Sequence, residues 1–223
     1  MAGARGVPDR SDLRKYSVNR EGWEVVSQTL YDFQAYAAAG QTQLTFFQVP
    51  VGQGGKTLSD TNMKLAGQLP ANQEFLVSSI EIYFYSTVPA VAADNPAAFG
   101  AGAIADNIND VWTDGRTGNL SLEIGAKPYL QEAPLGRFPP KTYMHVEAAL
   151  SDATTAAADL QSRIAFAHWA GRPYFLEPEK LRLISTQNFA ITLNWPEGIQ
   201  ALPSGNPGRI GVVLDGVLFR KSQ

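Results

Sequence analysis

Cysteine is absent from this chain of 223 residues. That excludes a disulfide framework, thiolate zinc sites, iron–sulfur clusters and a cysteine nucleophile. Histidine is nearly absent too. His145 and His168 are the only two, so a three-histidine metal site cannot form and a Ser-His-Asp arrangement has only two bases to draw on. Charged residues make up 17% of the chain, against about 25% in ordinary soluble domains. The net charge of −3 excludes a histone-like polyanion binder. Long hydrophobic runs are missing. No stretch approaches the roughly 20 apolar residues that cross a bilayer, and residues 1–16 lack the apolar segment of a secretory signal. The expectation is a protein made in the cytoplasm and, at first, left there.

What is present is apolar and turn-rich. Hydrophobic residues are 44% of the chain, with 20 glycines and 14 prolines. Such a composition belongs to a folded domain with much buried surface, some of it against other chains, and not to a disordered tail. A chain of this length buries roughly 70% of its unfolded surface without a covalent staple. Charge is segregated at one place only. Residues 1–20 carry Arg5, Arg10, Arg14, Lys15 and Arg20 against Asp9 and Asp12, a net +3 that leaves −6 on the remaining 203 residues. With few apolar side chains, this segment reads as a flexible basic arm preceding one domain over 21–223.

The apolar pattern of that domain is mostly strand-like. Trp23, Val26, Leu30 and Phe33 fit a helical spacing, but aromatic and polar residues alternate over Leu30–Tyr36, which favours a strand over Thr29–Tyr36 with a helix as the alternative. Leu44–Val49 is a β-rich run ended by Pro50, and Gly52–Gly55 is a turn. Glu74–Val88 is the clearest strand; apolar residues on both faces predict burial between two layers. Residues 90–110, rich in Ala, Gly and Asn, exceed a simple hairpin loop and read as an insertion near 88–110. Short strands are expected at Val111–Thr113, Asn119–Gly125, Tyr129–Gln131, Thr142–Ala148, Arg163–Trp169, Tyr174–Leu176, Leu181–Ile184, Phe189–Trp195 and Ile210–Arg220, with Ala149–Leu160 a short helix or a loop. Asp215-Gly216 reads as a turn or bulge inside the last run, with Gly216 at positive φ. Evenly spaced short strands without β-α-β alternation predict an all-β protein: a single jelly-roll-like antiparallel sandwich with an extended N-terminal arm.

Motifs that carry chemistry are weak. Gly55-Lys56-Thr57 resembles the end of a phosphate-binding loop, but Pro50 stands where the first glycine belongs and lacks the N–H such a cradle uses. Asp106, Asn107, Asn109, Asp110 and Asp114 are oxygen-rich, yet Ile108 breaks the alternation of a Ca²⁺-binding EF-hand loop; side-chain-to-backbone bonds in turns are the simpler role. His145, with Glu147 on the same strand face, and His168 sit among aromatic residues, and no Gly-x-Ser-x-Gly elbow supplies a nucleophile. Trp23, Trp112, Trp169 and Trp195 can build either a sugar-stacking platform or a core. Asn119-Leu-Ser121 is a glycosylation sequon whose meaning depends on secretion.

Two stretches together carry a family resemblance. One runs from Thr29-Leu-Tyr-Asp-Phe33 through Gly40-Gln-Thr-Gln-Leu-Thr-Phe-Phe-Gln48 and Asp60-Thr-Asn-Met63 to the Phe75–Tyr85 strand. The other runs from Gly171-Arg-Pro-Tyr-Phe-Leu-Glu-Pro-Glu-Lys-Leu-Arg-Leu183 through Gln187-Asn-Phe-Ala-Ile-Thr-Leu-Asn-Trp195 to Ile210-Gly-Val-Val-Leu-Asp-Gly-Val-Leu-Phe-Arg220. This closing order resembles jelly-roll capsid proteins of tailless icosahedral bacterial viruses. The resemblance implies a structural virion protein that self-assembles into a shell, most simply as the major capsid protein, made in the host cytoplasm and found in the virion. It implies no catalytic residue, no metal and no cofactor. Expected partners are further copies, other virion proteins, and nucleic acid or membrane touched by the arm through Arg5, Arg10, Arg14, Lys15 and Arg20. Two other readings stay open: a β-sandwich module of a fibre, spike or decoration protein that binds glycan or receptor, and a β-sandwich hydrolase or lyase.

Overall fold

A computed structural model describes residues 23–86, 116–141, 146–151, 162–167, 172–176, 180–198, 201–202 and 205–221. The basic arm, the 90–110 segment, the expected strand at 111–113, His145 and His168 lie outside the described residues. No helix among the described residues is long and apolar enough to cross a membrane.

The first and last long strands pair with each other. β1 (Trp23–Tyr36) runs antiparallel to β11 (Gly208–Lys221) over 14 residues without a break in register. Inside that pair the other ladders nest. β2 (Gln43–Phe46) pairs with β10 (Phe189–Asn194), β3 (Gln73–Ser86) with β8 (Tyr174–Phe175) and β9 (Leu181–Ile184), and β4 (Asn119–Ile124) with β5 (Lys127–Glu132). Two further pairings, β11 with β3 and β10 with β4, join the ladders into sheets. One sheet reads β1-β11-β3 and then β8 and β9; the other reads β2-β10-β4-β5. A long antiparallel ribbon rolled on itself in this nested order is a jelly roll. β6 (Val146–Ser151) and β7 (Ser162–Ala167) form a separate two-stranded ladder in the connection between β5 and β8.

The inner faces of both sheets share one core. Leu30, Phe75, Val77, Ile80, Ile82, Ile210, Val212 and Leu214 come from the first sheet, and Leu44, Phe46, Leu120, Leu122, Ile191 and Leu193 from the second. Trp195, Tyr36 and Phe84 lie among them, with Tyr36 edge-on to both other rings. Alternate residues of each strand supply this layer because successive strand side chains point to opposite faces.

Several expectations change. The helical spacing from Trp23 is coincidental: β1 is extended throughout, turning Val26 and Leu30 inward and Phe33 outward. Ala149–Ser151 belongs to β6 and is neither helix nor loop. Asp215-Gly216 makes no turn, since β11 continues through it. The irregularity there is a β-bulge against β3, where Asp215 faces Ser79 and Gly216 faces Val77, leaving Ser78 extra. Gly216 is not among the positive-φ glycines of the described residues. The same bulge explains the doubly apolar look of β3. Phe75 and Val77 face the core before it, Ile80, Ile82 and Phe84 after it, because one extra residue reverses the alternation.

Candidate functional site

The phosphate-loop resemblance has a different meaning in the fold. Gly52, Gly54 and Gly55 have positive φ, as the sharp turn requires. Three of the loop's amides are spent internally: Gly52 N–H donates to the Lys56 carbonyl, Gln53 N–H to Pro50 and Lys56 N–H to Gln53. Lys56 Nζ forms an ion pair with Asp32 on β1. Asp32, 1% exposed, also accepts the Phe47 N–H at 2.6 Å. Burial pushes the Asp32 carboxyl up, against the bonds from Lys56, Phe47 and Thr61 that favour its charged form. This lysine fastens a loop to a strand.

A second charged group sits on the outer face of the first sheet. Glu81 of β3 is buried and accepts the Lys141 N–H at 2.6 Å and the Tyr83 hydroxyl at 2.8 Å. Lys141 Nζ reaches Asp215 of β11 at 2.9 Å. Burial raises the Glu81 carboxyl pKa and the Asp215 carboxylate beside it acts in the same direction, while the Lys141 and Tyr83 bonds oppose both. Because the folded chain holds this proton more tightly than the unfolded chain does, Glu81 makes stability decline as pH rises above 4.5. Lys141 is held above its ordinary value by its bond to Asp215 and then by that charge, so its contribution is lost only as pH rises past 10.5. Glu81→Gln keeps an acceptor for Lys141 and Tyr83 and offers Asp215 an N–H. We expect the variant to lose part of the decline in melting temperature between about pH 5 and about pH 8. Parallel pH profiles for parent and variant would show that Glu81 is not the titrating group.

The outer face also carries an aromatic row that no local sequence pattern announces. Tyr31 and Phe33 of β1 and Tyr83 and Tyr85 of β3 lie in contact across β11. Phe33 is 6.3 Å from Tyr31, 6.3 Å from Tyr83 and 6.2 Å from Tyr85, and Tyr83 is 6.1 Å from Tyr85. Gly211 of β11 makes the row possible. A Cβ built there would fall 2.0 Å from Phe33 Cδ1, so the ring lies across the glycine backbone. The Arg209 guanidinium sits 4.6 Å from the Phe33 ring centre and donates to Asp60 at 2.8 Å. Its signal in the sequence was alternation, Thr29-x-Tyr31-x-Phe33 and Glu81-x-Tyr83-x-Tyr85, which becomes visible only once the bulge phase is known.

The tryptophan platform does not form from the residues that can be placed. Trp195 is in the core, Trp23 opens β1, and Trp112 and Trp169 lie outside the described residues. The Trp195 indole N–H finds no partner among the described residues and lies beside Gly118. Asn119 and Ser121 of the sequon lie within β4, and Glu147 lies in β6. Asp106, Asn107, Asn109, Asp110 and Asp114 lie outside the described residues. Among the described residues no group of three or more His, Asp or Glu side chains could hold a metal ion. No protein-family model matches the chain, and no curated protein matches it at a significant level.

Proposed function

We propose that this chain is a structural virion protein that self-assembles into a viral capsid, as its major capsid protein. The observation that carries the reading is the nested strand order, β1-β11-β3 with β8 and β9 over β2-β10-β4-β5, an architecture that viral capsid domains share with lectins and cupins. The low charge, 17% of residues, favours a surface meant to be covered by neighbours over one meant to stay solvated. In this reading the arm with Arg5, Arg10, Arg14, Lys15 and Arg20 lies toward genome phosphates or an anionic membrane, other virion proteins join the shell, and the mature location is the virion.

The aromatic row favours a second reading. Aligned half-buried rings beside an Arg209–Asp60 pair form a flat apolar strip with polar groups at its rim, a surface on which the C–H face of a sugar can stack. That would suit a glycan-binding module of a fibre, spike or decoration protein.

One preparation tests both. Purified full chain is followed by light scattering and negative-stain microscopy across salt and pH, and separately titrated with oligosaccharides while tyrosine fluorescence is recorded. Closed shells or symmetric oligomers are expected, with stable contacts burying on the order of 1,600 Å². A strict monomer at all conditions would overturn the capsid reading. Saccharide-dependent quenching lost in Tyr83→Ala and Tyr85→Ala would replace it with the second.

A further inference from the structure

We infer that the N-terminal part of β1, Glu24–Gln28, is a docking edge for the same strand of a second copy of this chain, so that the first sheet continues from one subunit into the next. This deepens the self-assembly reading and rests on it.

β1 is the outermost strand of its sheet. An edge strand offers a row of unpaired N–H and C=O groups, and natural proteins blunt such rows with short strands, proline, lysine or bulges. The other edges of the two packed sheets are blunted. β2 has four residues, β8 two and β9 four. β5 carries Lys127 and Pro128 and is bulged against β4. β1 has 14 residues, no proline, no lysine and no bulge.

Half of that edge is already closed. The Phe33 N–H donates to the Asp60 carbonyl at 2.7 Å, the Asn62 N–H to the Tyr31 carbonyl at 3.4 Å, and Asn62 Nδ2 to the Thr29 carbonyl at 2.7 Å; the Tyr31 N–H donates to Asn62 Oδ1 at 3.1 Å. Every outward bond therefore belongs to an odd-numbered residue, as the alternation of an antiparallel ladder requires. Val25 and Ser27 point their main-chain groups the same way. The segment around 60–62 stops short of them, and no partner among the described residues takes those groups. The Val25 side chain is 48% exposed.

The open half is self-complementary. In an antiparallel pairing about a two-fold axis at Val26, Val25 faces the partner's Ser27, Ser27 faces the partner's Val25, and each pair exchanges both main-chain bonds. Val26 meets its own copy, and Glu24 faces the partner's Gln28. No like charges oppose each other, and Glu24 is neutralised within its own subunit by Arg220 at 2.8 Å. β-Branched residues at 25 and 26 suit an added strand. The chain's own arm is a poorer occupant, since Pro8 and the run Asp9-Arg10-Ser11-Asp12-Leu13-Arg14-Lys15 suit neither strand pairing nor contact with an apolar edge.

The absence of cysteine makes the test clean. In the pairing above the two Val26 Cα atoms lie about 4.5 Å apart, within disulfide reach. Full-length Val26→Cys, dilute and mildly oxidised, is expected to run as a covalent dimer on a non-reducing gel. Tyr129→Cys, on an exposed position of β5, should not. Ser27→Pro removes a donor that points outward and leaves the β1–β11 ladder intact. It should raise the concentration for half-assembly about tenfold or more at unchanged melting temperature. Absence of the cross-linked dimer while the parent chain assembles overturns this edge and spares the self-assembly reading; a parent chain that never assembles overturns both.

Discussion

Gly216→Ala should destabilise the protein by about 3 kcal/mol, lowering the melting temperature by roughly 6–12 °C for a domain of this size. The reason is contact. A Cβ on Gly216 would lie 2.1 Å from the Leu76 carbonyl oxygen and 2.9 Å from Phe75 ring atoms. The first obstacle is backbone in the adjacent strand, so nothing swings aside; relief requires separating β11 from β3 at the bulge that sets the phase of both. Gly125 is the matched control. It lies at φ 62 with nothing within 4 Å of a built Cβ, so alanine there costs only backbone strain, about 1–2 kcal/mol. Thermal unfolding of both variants separates the two causes. A Gly216→Ala melt within about 1 kcal/mol of the parent would mean that β11 and β3 do not approach as described.

How far the residues alone could lead is visible at this same position. Asp215-Gly216 reads as irregular because glycine interrupts an apolar run, and it is irregular. Whether that glycine turns the chain or admits a neighbouring backbone depends on Leu76, 140 positions earlier, and no local pattern carries that pairing. The same holds for the sheets. Alternation marked β4, β5, β9, β10 and β11 nearly in place, since each has one face to bury. Their nested order joins residues as distant as Trp23 and Lys221, which only the strand rhythm and the family resemblance suggested. The aromatic row was illegible for a related reason: β1 and β3 never pair directly, and the rings meet only because Gly211 of the strand between them has no side chain. Lys56 reads locally as part of a glycine loop, whereas its partner Asp32 lies on a strand 24 positions earlier.

That ion pair sets the second large effect. Asp32→Ala should cost about 3–5 kcal/mol. It leaves Lys56, whose side chain is only 13% exposed, without its counter-charge, and removes the acceptor of the N–H of Phe47, the residue just past β2 with φ 67. The pair itself is a poor source of stability. Burial outweighs the bonds that favour the Asp32 carboxylate, which is the regime in which a neutral replacement of both partners is tolerated while loss of one is not. The double variant Asp32→Asn with Lys56→Met keeps a carbonyl for Phe47, gives Thr61 an amide neighbour and buries no charge. It should unfold within about 1–2 kcal/mol of the parent. Chemical denaturation of Asp32→Asn, Lys56→Met and the double closes the cycle; a double as damaged as Asp32→Ala would show that the charges, not the backbone acceptor, matter. The consequence reaches assembly. Asp32 anchors the 50–62 loop, and that loop closes the β1 edge from Thr29 to Phe33 through Asp60 and Asn62. Releasing it frees the covered half of the strand. Asp32→Ala should therefore lengthen the open edge and drive irregular aggregation rather than ordered particles, whereas the double variant, with the loop still seated, should assemble as the parent does.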